Sequence, residues 1–248
     1  MKSKFIYLII LIFIERNIYA ENIEMNADSI TLDKINQTTV FENNVVIKDQ
    51  DGTVIKSNYA KYNKNKNTIY LKDKIIINDI NKNILKSNEA TLNRNLKILK
   101  TLGKTSFFSS EGYKLKSSDI TIDNNKKLIF SKKPSQISDF EGNSIDLENF
   151  EYMSLEKIFK SVGRIKLDDR KENSYLFSQL IIDTEKKEMI GTDIKAYLND
   201  EQFKADKRNK PRIFANSMQI KDQNTSFQKS SMTFCDYRSN DKCPPWQM

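Results

Sequence analysis

The side chains that most often carry chemistry are nearly absent from this chain. Its 248 residues hold no histidine, two cysteines and six glycines. Without histidine the commonest general base is missing, as are Ser-His-Asp catalysis and most zinc or copper sites. Six scattered glycines leave no place for a phosphate-cradling nucleotide loop. Paired carboxylates occur, as at Asp168-Asp169, but in a polar, loop-like setting where solvation explains them. A carboxylate glycosidase needs only two acids assembled by the fold, so it stays as a third-ranked alternative, with no spacing to support it. Cys235 and Cys243 sit eight residues apart in a short Pro-containing tail. In an oxidising compartment they should end as disulfide, either bridging each other or pairing with cysteines elsewhere. Two cysteines without histidine make a poor metal site, and no cofactor is expected.

Chemistry being scarce, the elements that would position it carry more information. A phrase of about seven residues recurs at a step of thirty. It reads Ala27-Asp28-Ser29-Ile30-Thr31-Leu32-Asp33, then Ser57 to Asn63, Ser87 to Asn93 and Ser117 to Asp123. Degraded copies follow at Phe150-Glu151-Tyr152, Ser178 to Asp183 and Asn216 to Ile220. A fixed period with alternating apolar residues predicts stacked β rungs. A second series, Val45-Val46-Ile47, Ile75-Ile76-Ile77, Thr105-Ser106-Phe107 and Ile165-Lys166-Leu167, fills the other half of each unit. Before each triplet stands a turn-prone position: Asn43, Asp73, Gly103, Lys133 or Gly163. All but Lys133 tolerate left-handed backbone geometry, as a bend within a strand requires; Lys133 precedes the ladder-breaking Pro134.

Alternation sends Ile30, Leu32, Tyr62, Leu92, Ile120, Ile122, Phe150, Tyr152, Leu180 and Ile182 to one face. They should form continuous apolar ladders. Residues 153–162 offer a weak helical pattern but align with Leu99 and its neighbours, so a strand is expected. Lys171 to Ser174 reads as a loop and Asp200 to Pro211 as a longer charged connection. The predicted organisation is a signal peptide over 1–20, a repeat domain over 21–235 and a Cys/Pro tail over 236–248. Lys2 and Lys4, the apolar run Phe5 to Ile14 and Ala20 carry the export signal; ten apolar residues are short for a spanning helix of roughly 20. An uncleaved anchor is the alternative. The net charge is +8. Codon bias toward Lys, Asn and Ile explains it better than a nucleic-acid partner, which an exported protein rarely meets.

The repeated Ala-Asp-Ser-Ile-Thr-Leu-Asp … Val-Phe-Glu-Asn-Asn-Val-Val-Ile units and the Cys235 … Cys243-Pro244-Pro245-Trp246 phrase resemble the OstA-like domain of lipopolysaccharide-transport proteins. The tail phrase resembles most closely the N-terminal part of the LptD family, where it precedes a membrane β-barrel that this sequence does not contain. The resemblance implies an all-β fold, an elongated antiparallel β-jellyroll shaped as a twisted, partly open V of two sheets. It implies a non-enzymatic periplasmic module, associated with the outer membrane, that holds the acyl chains of lipopolysaccharide in an apolar groove. It implies β-augmentation of end strands by similar domains, with a membrane β-barrel and its lipoprotein as further partners. On that reading the ten apolar residues above line the groove. A structural β-solenoid scaffold without lipid is the rival, since the same residues would form the core of any two-sheet stack.

Overall fold

The computed structural model describes residues 23–199, 211–222, 224–234 and 246–247. Among them are nineteen strands and no helix. They are β1 (Glu24–Asn26), β2 (Ser29–Asp33), β3 (Thr38–Lys48), β4 (Val54–Asn63), β5 (Thr68–Asn78), β6 (Ile84–Asn93) and β7 (Ile98–Phe108). Three pairs of half-strands follow: β8 (Lys114–Ser118) with β9 (Thr121–Asp123), β10 (Leu128–Ser131) with β11 (Ser135–Ser138), and β12 (Ser144–Leu147) with β13 (Phe150–Met153). Then come β14 (Ile158–Asp168), β15 (Ser174–Asp183), β16 (Glu188–Tyr197), β17 (Arg212–Lys221), β18 (Asn224–Thr233) and β19 (Trp246–Gln247). The topology is one antiparallel meander in which each rung pairs with the rungs before and after it.

Each full strand bends at its middle, and the cause is local. Asn43, Asn44, Asp73, Lys74, Gly103, Gly163 and Asp193 have positive φ, and register shifts fall between Glu42 and Val45 and between Lys72 and Ile75. These β-bulges fold the sheet along a crease into two facing leaves. Lys133 keeps negative φ. There the rung is interrupted instead, with β10 ending at Ser131 and β11 starting at Ser135, across Pro134. The thirty-residue period is therefore two strands and two turns, in the all-β jellyroll arrangement expected. Residues 154–157 form a turn and β14 is a strand, so the weak helical pattern is overridden by pairing.

Paired residues on facing strands share one face, so the registers trace the interior. In the first leaf a ladder runs Leu32, Thr39, Tyr62, Ile69, Leu92, Leu99, Ile122, Ile129, Tyr152, Phe159, Ile182, Met189, Ile220 and Thr225. In the second leaf another runs from Met25 through Ile47, Ile55, Ile77, Leu85, Phe107, Leu115, Ile137, Ile145, Leu167, Tyr175, Ala196 and Ile213 to Met232. At about 4.8 Å per strand these ladders are roughly 60 Å long.

Gly191 shows how closely the crease is packed. It is buried, and a Cβ there would stand 2.6 Å from Cε1 of Phe177 and closer still to Cδ1. Phe177 is itself 4% exposed and stacks on Tyr175. Gly191→Ala should therefore lower stability by about 1–3 kcal/mol through overpacking. Urea unfolding checks this; an unchanged midpoint would mean the Phe177 ring can move aside.

Candidate functional site

The interior is not uniform along its length. One apolar cluster, Phe41 to Leu99, fills the N-terminal half; Val45, Ile47, Ile69, Leu71 and Ile75 are each at most 2% exposed. A second cluster, Leu147 to Met218, fills the crease of the C-terminal half. Its outer members, including Ile137, Ile145, Leu167, Tyr175, Ile182, Met189, Ile213 and Ile220, are only partly buried. Between the clusters the crease is hydroxylic. Thr105 donates to Thr101 at 2.8 Å and its hydroxyl lies 3.3 Å from that of Ser87, Ser117 and Ser135 are 2.7 Å apart, and Ser131 donates to the Ser118 carbonyl. These buried hydroxyls are satisfied, which is what allows them inside.

The leaves part in the C-terminal half to leave a cavity of about 490 Å³. Its walls are Ile137, Ile145, Leu167, Tyr175 and Ile213 from the second leaf, with Met189, Met218, Ile220 and Phe227 from the first. Asp139, Asn143, Asp169 and Asn173, from two turns, form a polar rim. An apolar chamber of this size with a few polar groups at one edge has the proportions of a lipid or small-molecule site. The rim is built by the turns. Asp139 accepts from the Asn143 amide at 2.6 Å and from its backbone N–H at 2.9 Å. Asn143 Oδ1 accepts from the Arg170 N–H in the next turn, and Asn173 repeats the link to Asn199. Burial pushes the Asp139 carboxyl up, but the hydrogen bonds from Asn143 and Glu141 outweigh it and hold the pKa below the ordinary value. Burial also raises Tyr175, with the Asp169 charge adding to it, to about 12. Tyr175 thus stays a neutral wall residue.

None of the ten residues predicted for the groove lines this cavity. Ile120 and Phe150 are 2% exposed and Leu180 is fully buried, all at the crease. Tyr62, Leu92, Ile122, Tyr152 and Ile182 are half-buried on the first leaf. Ile30 and Leu32 point inward with Phe41 and Thr39, yet are 56% and 60% exposed. They lie at the open end of the stack, because β2 is a terminal rung with no neighbour on its outer side among the described residues. Of the second-leaf wall residues, Leu167 is the third member of the Ile165-Lys166-Leu167 triplet, and Ile137 stands one thirty-residue step before it. Cys235, Cys243 and the 1–20 segment lie outside the described residues.

A family model for lipopolysaccharide-assembly proteins, LptC-related, matches residues 20–145. The chain belongs to the LptC-related lipopolysaccharide-assembly family. It is a non-enzymatic, periplasmic module of lipopolysaccharide transport. The crystal structure of LptH from Pseudomonas aeruginosa, titled the LptA-homologous periplasmic component of the lipopolysaccharide transport device, aligns over 54% of this chain and 77% of that one. The identity is 16% and the TM-score 0.25. No curated protein matches the sequence. The strand grammar continues beyond residue 145 through β18 in one meander, so the matched region is part of a longer stack of the same rungs.

Proposed function

We propose that the chain carries lipopolysaccharide by its acyl chains between the two leaves, and that the C-terminal chamber is where they lodge. The observation that carries this is the chamber itself, apolar on both leaves and reached past a polar rim. Apolar contact is non-directional, so a chain held there can slide along the ladders with little barrier. The rival, a lipid-free scaffold, suits the N-terminal half taken alone, where the leaves are filled by their own side chains.

Stacking with similar domains is the second part of the proposal. Ile30 and Leu32 continue the interior ladders into solvent on an edge strand, where another chain's strand would cover them. Other lipopolysaccharide-transport domains are the expected partners. The 233–246 phrase is read as LptD-like, directing the C-terminal end toward an outer-membrane β-barrel and its lipoprotein. The 1–20 segment is read as the export signal, 21–235 as the OstA-like domain and 236–248 as the tail.

The test is a photo-crosslinking residue at Ile145, on the cavity wall, or at the exposed neighbour Asp146, in cells making lipopolysaccharide. A lipopolysaccharide adduct at Ile145 and none at Asp146 is expected. Adducts at neither position, with the protein exported and folded, would favour the scaffold.

A further inference from the structure

We infer that the turn edge of the first leaf is a binding rail for the phosphate groups on the sugar head of the lipid whose acyl chains occupy the interior. This rests on the acyl-groove reading above and adds a site to it.

Each leaf ends in a row of turns, and the two rows impose the same backbone demand but meet it with different residues. In the second-leaf row the positive-φ position is Gly52, Lys82, Gly112, Gly142 and Glu172. In the first-leaf row it is Gln37, Asn67, Lys97, Lys127, Lys157 and Lys187, with Asp222 in the shorter last turn. Left-handed geometry favours glycine or asparagine and disfavours a long side chain. Three of five second-leaf turns take glycine. The first-leaf row takes none and places lysine in four consecutive turns. Backbone need alone does not select lysine there.

Charge separates the rows further. The first-leaf turns, 34–37 and its repeats to 184–187, carry ten cations against two acids. The second-leaf turns, 49–53 and its repeats to 169–173, carry eight acids against three cations. A compositional excess of lysine would have enriched both rows. Counting Asp33, Asp123 and Asp183, whose side chains close first-leaf turns, leaves that row basic.

Geometry holds the lysines in file. The carbonyl of Lys97 accepts from the Asn124 N–H, that of Lys127 from Ser154 and that of Lys157 from Thr184, at 2.8–3.0 Å. Successive lysines therefore stand two strands apart, about 9.6 Å. Each is exposed, and each lies two residues, about 7 Å, from an inward-facing ladder residue: Leu99, Ile129, Phe159 or Met189. A row of cations where the apolar wall ends matches an amphiphile whose phosphates begin where its acyl chains end. Successive equivalent sites would also let the head advance with the chains.

The test replaces Lys97, Lys127, Lys157 and Lys187 together by Asn, the residue this chain already uses at position 67, so the turns are preserved. Binding of bisphosphorylated lipid A and of its dephosphorylated form, with the same acyl chains, is measured on the exported protein at low and high salt. The variant is expected to bind the phosphorylated lipid roughly tenfold more weakly at low salt, with a flatter salt dependence, and to bind the dephosphorylated lipid unchanged. Inorganic phosphate should weaken binding of the phosphorylated lipid no more than chloride at equal ionic strength and should leave the dephosphorylated lipid unchanged. The control Asp51→Asn, Glu111→Gln and Glu141→Gln, on the other row, should not weaken binding. Equal affinity of wild type and variant for the phosphorylated lipid would overturn the rail while leaving the groove standing. Reduced self-association instead of reduced lipid binding would assign the lysines to another copy's acidic row and also overturn it. Failure of wild type to bind either lipid would remove the groove and the rail together.

Discussion

Ile30→Asp combined with Leu32→Asp should abolish end-to-end association and leave the isolated protein folded. Both side chains occupy interior ladders, paired with Phe41 and Thr39. Both are more than half exposed because β2 is the terminal rung. Removing already exposed side chains should change stability by less than about 1 kcal/mol. Association is different. Covering β2 with another strand would carry two carboxylates into an apolar interior with no partner, at a cost of several kcal/mol. At about 1.4 kcal/mol per tenfold, association should weaken by at least roughly a hundredfold. Thr31→Asp, on the outward face of the same strand, should have little effect. Sedimentation of the three proteins over a range of concentrations gives the answer. If the double variant associates as well as wild type, the contact between copies lies elsewhere.

The sequence carried the rung grammar because each rung solves the same local problem. Ile30, Ile120 and Leu180 stand at equivalent points of the alternation, and the bends fall at Asn43, Asp73, Gly103 and Gly163, where left-handed geometry is cheapest. Asp193 bends its strand the same way, one period on, where the degraded phrase hid the phase. Local pattern also explains why 154–157 is a turn: it occupies the slot of Arg94 to Lys97, and pairing with β13 and β15 decides the rest. The chamber was not legible in this way. Alternation states which face a residue takes, but the gap between the leaves depends on which side chains meet across it. Phe41, Ile47, Ile69 and Leu71 close the gap in one half. In the other, Ile137, Ile145, Leu167 and Ile213 on one leaf stand across a cavity from Met189, Ile220 and Phe227 on the other, and the leaves fall short of each other. That is a consequence of long-range pairing, and no seven-residue phrase contains it. The first-leaf phrase contains Leu180 and Phe150, which pack the crease; Leu167 and Ile213, on the cavity wall, lie outside it.

The same asymmetry gives a tryptophan opposite consequences in the two halves. Leu167→Trp places a larger ring against a cavity of about 490 Å³, between Ile145 and Tyr175, its partners on either side. There is room for it, so stability should shift by no more than about 1 kcal/mol. Ile77→Trp is the matched change in the closed half, beside Ile55 and Leu85, both at most 6% exposed. It has no space to enter and should destabilise by about 1–3 kcal/mol. Urea unfolding separates the two cases. Lipid separates them again: in the folded Leu167→Trp protein the ring occupies the volume proposed for acyl chains, and a photo-crosslinker at Ile145 should lose most of its lipopolysaccharide adduct. The chamber, and not the crease, must then be the path, because the crease residues Phe150 and Leu180 are untouched. An undiminished adduct in a folded Leu167→Trp protein would place the lipid outside the chamber and return the cavity to a packing defect between mismatched leaves.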